Sequence, residues 1–187
     1  TPEEQIRAIH QTLAPLLARQ MTCWQDDLLP KLREAGIQVQ PLSEIPREAI
    51  ARLRDYFKSA ILPALTPLAF DAAHPFPHIS NLCMNLAIVL HDGDHHERFA
   101  RLKVPRLFPR LLPVPHEAPP ETGLGGRPAR FVWIEEVIAA NLDLLFPGCH
   151  ITTAYPFRVT RDADPDIEAD EAADLLQAIQ ESLRQRH

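Results

Sequence analysis

Arg158, Arg161, Asp162 and Asp164 stand close together in the chain, two guanidiniums beside two carboxylates. A guanidinium grips phosphate oxygens through paired N–H donors, and adjacent carboxylates either hold a divalent cation or orient the arginines. The same residues also suit an ion-pair network that fixes a strand-to-helix turn, and such networks are common enough to favour that alternative slightly. A second basic group, Arg98, Arg101, Lys103, Arg106 and Arg110, offers further phosphate contacts. Alternation along residues 99–104 instead places Arg101 and Lys103 on the polar side of a half-buried strand. A third group, His91, Asp92, Asp94, His95 and His96, has ligand types suited to zinc, nickel or manganese. Its ligands crowd into one turn without a distant second set, so a solvated turn is the better reading. No G-x-S-x-G, Walker loop or H-E-x-x-H occurs, and residues 123–126 read as a flexible glycine loop rather than a phosphate cradle.

These groups need elements to position them. Thr1-Pro2-Glu3-Glu4 is a helix start: a cap, a first-turn proline, then acids at the positive end of the dipole. Ile6, Ile9, Leu13, Leu16 and Leu17 recur at helical spacing, and Trp24, Leu28, Leu29 and Leu32 extend the stripe toward a stop at Gly36. Pro15 and Pro30 interrupt it, predicting a kink or two helices in series. A short strand is expected at residues 37–39. A second helix then presents Ile50, Leu53, Tyr56 and Phe57 on one face and ends before Pro63. Residues 63–81 read as an extended but ordered connection, because apolar side chains accompany the prolines.

Residues 86–90 form an uninterrupted apolar run, the pattern of a central strand covered on both faces. Residues 99–104 and 111–114 are further strands, and residues 116–128 an exposed loop. Residues 130–133 lead as a strand into a helix with Ile134, Val137, Ile138, Leu142 and Leu145 inward, ending at Gly148. Residues 151–161 alternate, with Ile151, Thr153, Tyr155, Phe157 and Val159 on one face and His150, Thr152, Arg158 and Thr160 on the other. A last helix, capped by Asp166, carries Ala172, Leu175, Leu176, Ile179 and Leu183 on its buried face. The fold class is α+β: N-terminal helices, a mixed or mostly antiparallel sheet, and later helices packed on it.

The 187 residues suffice for one domain with an appended element and a core that needs no staples. Cys23, Cys83 and Cys149 are odd in number and widely spaced, which argues for a reducing, cytoplasmic setting. No apolar run approaches the roughly 20 residues of a transmembrane helix. A formal charge of −6 argues against a free-standing binder of nucleic acid or another polyanion. Nineteen prolines against six glycines predict short, firmly punctuated elements. The chain opens on a helix without a lead-in and stops at Arg186-His187 without a tail, so it is expected to be one piece of a larger polypeptide.

Four stretches in order carry a family resemblance. Residues 65–71 read Leu-Thr-Pro-Leu-Ala-Phe-Asp and residues 74–77 His-Pro-Phe-Pro; Asn81 precedes Asn85-Leu86-Ala87; residues 157–164 read Phe-Arg-Val-Thr-Arg-Asp-Ala-Asp. Leu145-Phe146-Pro147-Gly148 and Asp174-Leu175-Leu176 fall at matching places. The ordered set resembles the middle, or head, domain of the long, histidine-phosphorylating polyphosphate kinases. Trp133-Ile134-Glu135-Glu136 departs from the family's usual Leu-Glu-Asp, and the glycine loop at 123–126 looks lineage-specific.

The resemblance implies a division into residues 1–35, the tail of a preceding helical domain or the linker from it, and residues 36–187, the head domain. It implies that the full enzyme reversibly transfers the terminal phosphate of ATP to polyphosphate through a phosphohistidine, with magnesium. In the family those groups lie in other domains, so no catalytic residue is assigned here. ATP and Mg serve the full enzyme, and no cofactor is expected on this segment. Its expected role is scaffolding and dimerisation, with no turnover alone; its partners are the remaining domains of the same chain, a second copy in a dimer, and polyphosphate. Two alternatives are a direct phosphate-binding wall through Arg158 and Arg161, and a metal-binding module at residues 91–96.

Overall fold

The computed structural model describes residues 1–70, 79–91, 97–115 and 129–160. The expected loop at 116–128, the turn at 92–96, Pro75-Phe76-Pro77 and the last helix after Asp166 lie outside the described residues.

Helix α1 (Pro2–Thr22) starts where the cap residues predict. Thr1 Oγ1 accepts from the Glu4 N–H at 3.4 Å, and Glu4 Oε2 accepts from the Thr1 amino group at 2.6 Å, a reciprocal capping box. The helix runs through Pro15 and passes into a π-turn at Cys23–Leu28 before α2 (Leu29–Glu34), so two helices follow in series as Pro30 foretells. Pro30 has no N–H to close an α-turn onto Asp26, and the Leu29 N–H bonds five residues back to the Trp24 carbonyl. Gly36 ends α2 at φ +78°, where a side chain would be strained. Strand β1 (Ile37–Val39) follows at once.

Helix α3 (Arg47–Tyr56) continues into a second π-turn, Phe57–Ile61, again just ahead of a proline, Pro63. Buried residues recur every fourth position: Ile45, Ala49, Leu53, Phe57, Ile61 and Leu65. On an ideal α-helix such a row drifts by about 40° per step. The wider π-turn winds it back, which keeps Phe57 and Ile61 fully buried. Tyr56, expected on the buried face, is 40% exposed, because the row runs through Ala49 instead.

The strands form two sheets where one was expected. The four-stranded sheet has β2 (Pro67–Phe70), β3 (Met84–His91), β4 (Glu97–Lys103) and β7 (His150–Arg158) in the order β2-β4-β3-β7, all antiparallel. In the three-stranded sheet, β6 (Ala129–Trp133) lies between β5 (Leu111–Pro113), antiparallel, and β1, parallel. Strand β3 is central and buried on both faces, with Leu86, Ile88 and Leu90 on one and Asn85 and Val89 on the other, as its continuous apolar run predicts. One core unites the α3 row, Leu86, Ile88 and Leu90 of β3, Ala100 and Leu102 of β4, and Val132 of β6.

Strand β6 turns directly into α4 (Ile134–Ala139), which buries Ile134, Val137 and Ile138. The helix ends well short of the expected Gly148. Asn141 Nδ2 donates to the Val137 carbonyl at 2.7 Å, taking an acceptor the helix would need to continue. A 3-10 turn, Leu142–Leu144, follows. Arg54 of α3 clamps this corner through Asn141 Oδ1 at 2.8 Å and the two Asp143 carboxylate oxygens at 3.0 and 2.5 Å.

The apolar stripe on α1 does not enter the core. Ile6, Ile9, Leu13, Leu16, Leu17 and Met21 are all between 44% and 55% exposed. Among the described residues no helix is long and apolar enough to cross a membrane.

Candidate functional site

Strand β7 departs from the simple alternation read from its sequence. Leu90 pairs with Ile151 but Val89 with Thr153, leaving Thr152 as the extra residue of a β-bulge. Past the bulge every side chain changes face. Ile151 therefore shares the core side with Ala154, while Thr153, Tyr155 and Phe157 pair with Val89, Ala87 and Asn85 on the opposite side. The expected grouping of Ile151 with Thr153, Tyr155 and Phe157 is corrected accordingly. Arg158, at the end of the strand, pairs with Met84 and falls on the side of Ile151.

The connection from β4 to β5 reaches the same place. Residues 105–110 carry the chain from one sheet to the other, with Arg106 and Arg110 exposed and Leu107 81% exposed. Arg106, Arg110 and Arg158 converge on a cavity of about 270 Å³ with Met84, Val104 and Phe108 among its walls. Arg110 is the anchored member. Its guanidinium carbon lies 5.0 Å from the centre of the Trp133 ring, and its Nη2 donates to Glu135 Oε1. Glu135 is buried, and its Oε2 has no partner among the described residues. Trp133 in turn meets Trp24 of the π-turn below α1, with ring centroids 6.1 Å apart. Arg106 and Arg158 make no hydrogen bond or ion pair among the described residues. Leu82 lines the cavity rim with a left-handed φ of +55°, held by its N–H bond to the Val159 carbonyl at 2.9 Å.

The rest of the basic run disperses. Lys103 is exposed as alternation predicts, but Arg101, expected on the same solvated side, is buried at 7% exposure. Its Nε donates to Asn85 Oδ1 at 2.9 Å, and Asn85 Nδ2 donates to the Cys83 carbonyl at 2.8 Å. Burial disfavours its charged form and lowers its pKa below the ordinary guanidinium value. This face of the sheet is covered around Arg101 and open at Lys103, so the period-two pattern reports the pleat but not the solvent. Of the other sequence candidates, Arg161, Asp162 and Asp164 lie outside the described residues, as do Asp92, Asp94, His95 and His96; His91 closes β3. Among the described residues, no three His, Cys, Asp or Glu side chains gather closely enough to hold a metal ion.

The sequence already placed Arg158 at the end of its strand and Arg106 and Arg110 in a basic run able to contact phosphates, but it did not bring the two groups together. The four-residue spacing of Arg106 and Arg110 around Leu107-Phe108-Pro109 is the signal that was available: two arginines flanking an apolar turn between strands.

The two-sheet α+β fold is similar to part of a polyphosphate kinase crystal structure from Porphyromonas gingivalis. The match has a TM-score of 0.75 at 26% identity, over 89% of this chain and 25% of that one. Residues 48–187 match the polyphosphate kinase middle domain. The chain is 47% identical over its whole length to a polyphosphate kinase from Aphanizomenon baltica and 45% identical to one from Chlorobaculum tepidum. It belongs to the polyphosphate kinase family. It spans 48% of the first relative's length and 26% of the second's.

Proposed function

We propose that this chain is the head segment of an ATP:polyphosphate phosphotransferase and serves there as a scaffold and dimerisation module. The observation that carries this reading is the row of half-exposed apolar side chains along α1, from Ile6 to Met21. A continuous apolar stripe on a helix is stable in water only when another surface covers it. Family membership supplies the setting, because the relatives it matches are two to four times as long as the matched region. Residues 1–35 then belong with a preceding helical domain and residues 36–187 form the head. ATP, magnesium and the phosphorylated histidine are served by other parts of the same polypeptide, in the cytoplasm, within a homodimer.

The test is direct. The purified chain, given ATP and magnesium, is expected to form no polyphosphate, while the full-length polypeptide does. Synthesis by the isolated chain overturns the scaffold reading.

A further inference from the structure

We infer that the cavity of Arg106, Arg110 and Arg158 is a binding site for a condensed phosphate chain, which would give the scaffold a hold on the substrate of the reaction proposed above. The inference rests on that reading for its ligand and on the geometry for its site.

Three guanidiniums face one cavity, and among the described residues the carboxylate that meets them is Glu135, which binds Arg110. Concentrating like charges is unfavourable unless an anion joins them. Glu135 engages only Arg110, and Arg106 and Arg158 are left without a partner among the described residues. Met84, Val104 and Phe108 supply apolar walls, which strengthen charge–charge attraction inside. Arg110 is held by Trp133 and Glu135 yet is 51% exposed, so part of its donor edge remains available. The Thr152 bulge is what sets Arg158 beside Met84 rather than on the other face.

Size selects the ligand. About 270 Å³ falls below the roughly 300–1,000 Å³ typical of drug-sized ligands, so the cavity suits a few phosphoryl units rather than a whole nucleotide. All three arginines are exposed, so an anion can reach them from solvent. Arginine rather than lysine fits a phosphate backbone, since each guanidinium grips two oxygens at once.

The experiment titrates the 187-residue chain with tripolyphosphate and with long-chain polyphosphate at low and moderate salt, after circular dichroism has confirmed the fold. Saturable, salt-sensitive binding is expected. Arg158→Ala and Arg106→Ala should each weaken it by about tenfold or more, as for other charge-assisted contacts. Arg158→Lys should recover only part of the loss, and Arg47→Ala, an exposed arginine on α3, should change nothing. In the full-length polypeptide the same Arg158→Ala change should raise KM for polyphosphate and leave KM for ATP unchanged.

Binding that is equal in all variants, or absent from the folded wild-type chain, overturns the site. So does a rise in thermal stability of Arg158→Ala without any polyphosphate binding, which would assign the arginines to an acidic protein surface. None of these results touches the scaffold reading, which is tested separately by synthesis in the isolated chain and by assembly of the full-length polypeptide.

Discussion

Replacing Asn85 by alanine should be among the most damaging polar substitutions in this chain. Asn85 is fully buried; it accepts from Arg101 Nε at 2.9 Å and donates to the Cys83 carbonyl at 2.8 Å. Alanine leaves the Nε–H of a buried guanidinium without this acceptor and a carbonyl without this donor. An unsatisfied buried group costs about 1–3 kcal/mol, with a charged one at the upper end, so Asn85→Ala should cost about 3–5 kcal/mol. Arg101→Met removes the charge and leaves Asn85 Oδ1 without this donor, for a cost of about 1–3 kcal/mol. In the double variant the charge that Asn85 served is gone. Its cost should fall short of the sum of the two single changes by about 1–3 kcal/mol. Urea denaturation of all four proteins, followed by circular dichroism and tryptophan fluorescence, reads each value directly. An Asn85→Ala cost below about 1 kcal/mol, or additivity within about 0.5 kcal/mol, would refute the reasoning. Arg101 would then be solvated, as simple strand alternation implies.

Arg54 holds the Asp143 carboxyl below its ordinary value of 3.8, chiefly through their hydrogen bonds. A depressed carboxyl adds stability that is full above the unfolded pKa and lost as pH falls through the lower folded value. Because Asp143 is 58% exposed, screening should keep this within about 1 kcal/mol, and Asp143→Asn should flatten the acid limb of a stability–pH curve below about pH 4. On α1, Leu13→Lys and Leu17→Lys should leave the melting free energy of this chain unchanged within about 0.5 kcal/mol, since both side chains are already half exposed. The same pair should weaken dimerisation or domain docking of the full-length polypeptide in sedimentation experiments, and unchanged assembly would remove α1 as a docking face.

Much of the architecture follows from local chemistry that a sequence displays. The Thr1–Glu4 box starts α1, Pro30 forces the break into α2, and Gly36 takes the left-handed turn that ends it. The apolar run at residues 86–90 is central in its sheet because only full coverage tolerates such a strand. The ordered stretches from Leu65 to Asp164 suffice to recognise the family. Arg158 also stands out, since a charged residue closing a long alternating strand is visible without coordinates.

What alternation cannot show is whether a pleated face meets water or protein, or where a strand takes an extra residue. Arg101 and Lys103 read alike in sequence, yet one is buried against Asn85 and the other exposed. Thr152 and Thr153 are the same residue type, so nothing marks the first as the bulge that turns Arg158 toward Met84. The sequence alone determined the start and break of the N-terminal helices, the central strand at residues 86–90 and the family. The tertiary structure alone decided that Arg106, Arg110 and Arg158 share one cavity, because that depends on where a bulge and a connection between two sheets bring side chains some fifty residues apart.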